Sequence, residues 1–128
     1  MDSEVDVRTG GPAAEDLTLA REIRSLGPLD RIPLGEGRSY RVGGEEIAVF
    51  RLRDGGVYAV QARCPHRGGP LVDGLIGDGR VVCPLHGFTF ELESGAPLWS
   101  QCGALRTYPV RVTPTEELLI ETERAEVG

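Results

Sequence analysis

The chain has 128 residues, which is enough for one domain with a modest hydrophobic core and too few for two well-packed domains. Its 18 glycines and 9 prolines follow no collagen-like period, so they favour an all-β class of short strands joined by turns over a helical bundle. The net charge of −6 comes from the two ends of the chain, because residues 31–113 carry eight acidic and ten basic residues. The sequence has no cluster of arginines interleaved with aromatic residues, so it does not indicate a nucleic-acid surface.

The amino-terminal segment predicts a tail followed by a short helix. Residues 1–13 are charged and lack periodicity, so we expect a disordered tail. They contain no long apolar run, so we expect neither a secretory signal nor a membrane anchor. We therefore expect a cytoplasmic protein. In residues 14–27, Leu19, Ile23 and Leu26 recur with helical spacing, and a Gly-Pro pair would end the helix.

From residue 38 onward the pattern changes to that of β-strands. β-Branched and aromatic runs alternate with turn residues, and an Asp-Gly-Gly sequence at residues 54–56 predicts a hairpin. Strands are predicted at residues 38–42, 46–53, 57–61, 80–83, 88–92, 105–112 and 118–121.

The two histidines of the chain each lie close to a cysteine. One motif is Cys64-Pro65-His66-Arg67-Gly68-Gly69, and the other is Cys83-Pro84-Leu85-His86-Gly87. Each motif follows a predicted strand and continues into a glycine-containing turn, so the two loops are able to converge on one metal site. The third cysteine, Cys102, is expected to be a small packing residue without a ligand role.

Two thiolates and two imidazoles suit either a structural zinc ion or a Rieske-type [2Fe–2S] centre. Zinc accepts such a set in a tetrahedral site, but its paired ligands are typically separated by two to four residues. The single residue between Cys64 and His66 is unusual for zinc and suits a loop that reaches two metals, with both cysteines on one iron and both histidines on the other. Gly68, Gly69 and Gly87 would let backbone N–H donors approach the bridging sulfides.

The sequences C-P-H-R-G-G and C-P-L-H-G resemble the cluster-binding signature of the Rieske family, and the likeness covers residues 28–121. It is shared with bacterial Rieske ferredoxins and with the small subunit of assimilatory NAD(P)H nitrite reductase. The resemblance implies a domain at residues 28–122 made of antiparallel sheets and a small two-loop cluster-binding subdomain, followed by a tail at residues 123–128. It also implies one Rieske [2Fe–2S] cluster per chain, with the ligands Cys64, His66, Cys83 and His86.

Two departures from the high-potential respiratory branch of this family predict a low reduction potential. That branch has an additional cysteine in each loop, forming a disulfide, where this chain has Gly69 and Leu85. It also has hydroxyl donors after the second histidine, where this chain has Phe88 and Phe90. Fewer donors to the sulfurs favour the oxidised cluster.

No histidine remains for the second, mononuclear iron that an oxygenase would need, and no nucleophile–base pair or nucleotide-binding fingerprint is present. The sequence and this resemblance together favour a ferredoxin, monomeric when free, that passes single electrons from a flavin-containing reductase to a terminal oxygenase. The resemblance implies that the imidazole edges of His66 and His86 form the docking face. Whether the chain belongs to an enzyme is open. The alternatives are a small subunit of an assimilatory nitrite reductase and a cluster-based redox sensor.

Overall fold

The computed structural model describes residues 21–65, 68–85, 87–98 and 103–123. The predicted tail at residues 1–13, the first part of the predicted helix and residues 124–128 lie outside these ranges. In the part of the chain that is described, no helix is long and apolar enough to span a membrane.

Within these residues the chain forms ten strands in three antiparallel sheets, which confirms the all-β prediction. The strands are β1 (Arg21–Pro28), β2 (Glu36–Val42), β3 (Glu45–Arg51), β4 (Val57–Gln61), β5 (Leu75–Gly77), β6 (Arg80–Val82), β7 (Thr89–Glu91), β8 (Thr107–Tyr108), β9 (Val110–Val112) and β10 (Glu117–Glu123). The outer sheet has the order β1-β10-β9, the middle sheet β2-β3-β4-β8 and the small sheet β5-β6-β7. Short 3₁₀ helices occupy Leu29–Arg31 and Leu71–Asp73.

The middle sheet is buried on both faces because its central strands are apolar at nearly every position. Ile47 and Val49 of β3 pack into a first core with residues of the outer sheet. Ala48 and Phe50 point to the opposite face, since successive strand residues alternate, and pack into a second core with residues of the small sheet. The three sheets are thus layered around the middle one, and we use the terms first core and second core for the two interfaces.

The predicted hairpin between β3 and β4 is confirmed. The backbone N–H of Leu52 donates to the carbonyl of Gly56 at 2.8 Å, and the N–H of Gly56 donates to the Asp54 carboxylate at 2.9 Å. The Asp54 side chain thus folds the chain back locally, and Gly55 takes a φ of +97°. Strand β3 ends at Arg51, two residues before the predicted end, because Leu52 already belongs to the turn.

The predicted helix at residues 14–27 is wrong over its described part, which is strand β1. This strand pairs with β10 and contains an irregularity between Ser25 and Gly27. Leu26 packs partly against the first core, but Ile23 is 62% exposed, so the apolar residues do not form one buried helical face. Pairing with β10 supplies hydrogen bonds along the whole segment, whereas a short isolated helix is marginal in water. The ordered fold accordingly begins before the predicted boundary at residue 28.

Strand β5 was not predicted from the sequence, because it has only three residues. The residues that follow β5 form a tight turn. Asp78 and Gly79 take φ values of +54° and +75° between β5 and β6. Positive φ at both central residues is the geometry of a tight hairpin turn whose twist matches the strands. This tight turn joins the two short strands β5 and β6 into a hairpin.

Gly74, which leads into β5, lies against the backbone of β6. A Cβ atom built on Gly74 would lie 1.9 Å from the carbonyl oxygen of Val82, so no side chain fits without moving a strand. We expect Gly74→Ala to reduce the free energy of unfolding by at least about 2 kcal/mol. Thermal unfolding of the purified protein measures this.

Gly77→Ala is the matched control, because a Cβ atom at Gly77 would meet nothing within 4 Å. Its unfolding temperature should stay close to that of the wild type. Equal unfolding temperatures for the two alanine variants would contradict the close approach of Gly74 to β6.

Candidate metal centre

The first cysteine-containing loop leaves the end of β4 and is closed by backbone hydrogen bonds. The N–H of Cys64 donates to the carbonyl of Gly69 at 2.9 Å, and the N–H of Gly68 donates to the carbonyl of Cys64 at 2.8 Å. Before and after the loop, Arg63 and Pro70 form an antiparallel bridge. Gly68 has a φ of +74°, a conformation that favours glycine. The chain therefore reverses direction within six residues and returns beside the cysteine.

The second loop connects β6 to β7 and has the same hydrogen-bonding frame. The N–H of Cys83 donates to the carbonyl of Phe88 at 2.7 Å, and the N–H of Gly87 donates to the carbonyl of Cys83 at 3.0 Å. Gly87 has a φ of +75°, almost the same as the glycine at the corresponding place in the first loop. In both loops the cysteine is the first residue of the turn and a left-handed glycine is the fifth.

The two loops meet, as the sequence predicted. The cysteines are 2% and 3% exposed at Cys64 and Cys83, and both belong to the second core. A Cβ atom built on Gly69 would lie 3.1 Å from the Sγ of Cys83 and 2.9 Å from the Cγ of Leu85. The sulfur of the second loop therefore lies directly against the backbone of the first, at a place where only glycine leaves room.

The three loop glycines have two different structural roles. The N–H groups of Gly68 and Gly87 donate to the cysteine carbonyls of their own loops, so these glycines serve the left-handed turn. Gly69 instead permits the close approach of the two loops. The equal spacing from cysteine to glycine in both motifs, four residues in each, was the sequence signal for the shared turn.

The aromatic residues after the second loop are core residues. Phe90 is fully buried in the second core and Phe88 packs against it. Between them, the hydroxyl of Thr89 donates to the carbonyl of Gly87 at 3.2 Å. The one hydroxyl in this described stretch is thereby bonded to the backbone of its own loop.

Polar contacts surround the end of the middle sheet from which the first loop leaves. The side-chain amide of Gln61 donates to the carbonyl of Arg63 at 2.7 Å, and its oxygen accepts the N–H of Arg106 at 2.7 Å. The hydroxyl of Tyr108 donates to a carboxylate oxygen of Glu45 at 2.8 Å. Burial, and next this hydrogen bond to a carboxylate, raise the pKa of Tyr108 to about 12. The phenol therefore keeps its proton at neutral pH, and its hydrogen bond to Glu45 joins β8 to β3.

Of the four predicted ligands, the structure brings Cys64 and Cys83 to one place. His66 and His86 lie outside the described residues, as do Arg67, Trp99 and Cys102. The described residues fit a Rieske cluster in two respects. Two buried thiols converge from separate loops, and the glycine between them leaves the space beside the Cys83 sulfur without a side chain.

Comparison with known proteins gives a consistent result. The model of the Rieske [2Fe–2S] domain matches residues 24–109, a range that contains both loops. The anthranilate 1,2-dioxygenase ferredoxin subunit of Burkholderia cepacia is 37% identical over 99 residues, which are 77% of this chain and 86% of that protein.

Two solved structures have the same fold. One is a protein from Mycobacterium tuberculosis assigned as the small subunit of an NADH-dependent nitrite reductase; it has a TM-score of 0.74 and 28% identity, and the match covers 84% of this chain and 98% of that one. The other is a chain from the complex of reduced oxygenase and oxidized ferredoxin in carbazole 1,9a-dioxygenase. It has a TM-score of 0.69 and 27% identity, and the match covers 81% of this chain and 97% of that one.

Proposed function

Because the chain belongs to the Rieske [2Fe–2S] domain family, we propose that it works as a ferredoxin, passing single electrons from a flavin-containing reductase to a terminal oxygenase. Its cofactor is the Rieske-type [2Fe–2S] cluster of that family, which supplies the one-electron chemistry. The observation that carries the proposal is the convergence of two buried cysteines from two loops that each contain a histidine.

In this proposal Cys64 and Cys83 hold one iron, and His66 and His86 hold the other. The sulfur ligands approach the cluster from the protein interior, because both cysteines belong to the second core. The second core then excludes water from the sulfur ligands, and burial of this kind is one of the factors that set the potential of a cluster. The histidine edges remain our predicted docking face.

The relatives support an oxygenase as the acceptor. The Burkholderia cepacia relative is the ferredoxin subunit of a dioxygenase, and the carbazole 1,9a-dioxygenase ferredoxin forms a complex with its oxygenase. By analogy we propose a protein partner on each side, one reductase and one oxygenase. A cytoplasmic location and a monomeric free state stay predictions.

A second candidate function is the small subunit of an assimilatory nitrite reductase. It is favoured by the match to the Mycobacterium tuberculosis protein, of which 98% is covered. In that case the chain would be a permanent part of a larger enzyme and would bind its large subunit tightly, whereas a ferredoxin has to dissociate from each partner.

The ligand assignment is tested by replacing each histidine separately. We expect His66→Ala and His86→Ala to lose the Rieske absorption and electron paramagnetic resonance spectra, because one iron loses a nitrogen ligand. The far-UV circular dichroism should change little, since none of the ten described strands contains a histidine. The matched control is Cys102→Ser, which should keep the spectrum. Unchanged spectra in both histidine variants, or a wild-type protein that contains zinc and no iron, would refute the assignment.

The reduction potential should lie near the lower end of the roughly −150 to +300 mV range of Rieske centres. Leu85 packs where the high-potential branch has a disulfide, and the Thr89 hydroxyl is bonded to a backbone carbonyl. Voltammetry of the purified protein measures the midpoint, and a value well above zero would contradict the prediction. Thr89→Val should leave the midpoint unchanged; a large shift would indicate that this hydroxyl contacts the cluster.

Purification from the native host separates the two candidate functions. A ferredoxin is expected to elute as a free brown protein of its own size, close to 13.8 kDa. A nitrite reductase subunit would instead elute with a large sirohaem protein in a fixed ratio. The second result would overturn the ferredoxin proposal while leaving the cluster in place.

A further inference from the structure

Arg63 spans the first loop from its entry to its far side. It directly precedes Cys64, and its guanidinium Nη1 donates to the carbonyl of Gly68 at 3.2 Å. Its Nε donates to the carboxylate of Glu46, on β3, at 3.3 Å. The guanidinium thus connects the loop to the middle sheet while its side chain remains 56% exposed.

The backbone of Arg63 is itself fixed, so the guanidinium starts from a defined place. The carbonyl of Arg63 accepts the side-chain N–H of Gln61, whose oxygen in turn accepts the backbone N–H of Arg106 next to β8. The neighbouring N–H of Ala62 donates to the carbonyl of Glu46 at 3.3 Å. The chain around Arg63 is therefore fixed from both sides of β4, by β3 and by the residue that precedes β8.

The contact with Gly68 acts on the part of the loop that faces the second cysteine. The N–H of Gly68 is already bonded to Cys64, and the Arg63 contact engages its carbonyl as well. That carbonyl belongs to the peptide group shared with Gly69, whose Cα lies against the Cys83 sulfur. This peptide group therefore lies at the contact between the two loops.

We propose that Arg63 is a positioning residue of the first loop, clamping the Gly68 carbonyl against the middle sheet, and that its fixed positive charge favours the reduced cluster. The inference rests on the proposed function. Reduction adds one negative charge to the cluster, so the attraction of the positively charged guanidinium is stronger after reduction. Because the side chain is half exposed, salt screens this attraction, whereas the clamp does not depend on long-range charge.

The test compares Arg63→Gln with a matched control, Arg38→Gln. Arg38 is 47% exposed, pairs with Glu36 at 3.3 Å and donates to the carbonyl of a glycine, Gly37, at 3.0 Å. Both substitutions remove one positive charge, one ion pair and one bond to a glycine carbonyl. They differ in that only Arg63 contacts the first loop.

Two readouts on the loaded protein separate the clamp from the charge: the midpoint potential at low and at 1 M salt, and the rate of iron release to a chelator. Arg63→Gln should lower the ratio of reduced to oxidised protein at a fixed potential about threefold, the size of an exposed charge interaction, which is about 28 mV at 59 mV per tenfold. At 1 M salt this shift should largely vanish. Iron release should become about tenfold faster, as expected for losing a hydrogen bond from a charged donor.

Arg63→Lys separates the effect of the positive charge from that of the clamp on the Gly68 carbonyl. An ammonium group keeps the charge but lacks the planar fork that reaches two acceptors at once, so the potential should return toward that of the wild type while iron release stays fast. If R63Q folds but retains no iron while R38Q is loaded, the clamp is supported in its strongest form and R63K decides the charge effect.

The inference is overturned if R63Q matches the wild type in both readouts, or if R38Q produces the same changes. Either result on a loaded wild-type protein leaves the proposed function intact. An iron-free wild-type protein would refute the proposed function and this inference together.

Discussion

The cysteine loops depend on a middle sheet whose two faces are both covered by apolar side chains. Ile47 and Val49 fill the interface with the outer sheet, and Ala48 and Phe50 fill the interface with the small sheet, so one strand supports two cores. Cys64 and Cys83 are members of the second of these cores. Their burial is therefore a consequence of sheet packing, which supports both loops from the second core.

The two cysteine-containing loops have the same turn geometry. In each, the cysteine N–H is bonded to the backbone five residues later and the cysteine carbonyl to the backbone four residues later, where a left-handed glycine closes the turn. The histidines nevertheless occupy different positions in these turns, the third residue in the first loop and the fourth in the second.

The hairpin at Asp54 and the strands β3 and β4 were predictable from the sequence, because turn chemistry and continuous apolar runs act over a few residues. Strand β1 was not, since its partner β10 lies about ninety residues later and nothing in the local spacing of Leu19 and Ile23 reports that pairing. In the candidate site, residue types and spacing singled out two motifs whose cysteines the structure buries in one core. The engagement of the Gly68 N–H depends on the closed turn, which only the three-dimensional structure reveals.

Ferredoxins and nitrite reductase subunits share this fold, so what distinguishes them has to lie in residues that the two cores do not constrain. The two cysteines are interior residues, so substitutions around them would repack the second core. Arg63 differs because it combines a backbone contact to the loop with a solvent-exposed charge. A residue of that kind allows the potential to change while the fold stays the same, and the surface beside the cluster is where members of one family are able to diverge in partner and potential without repacking the interior.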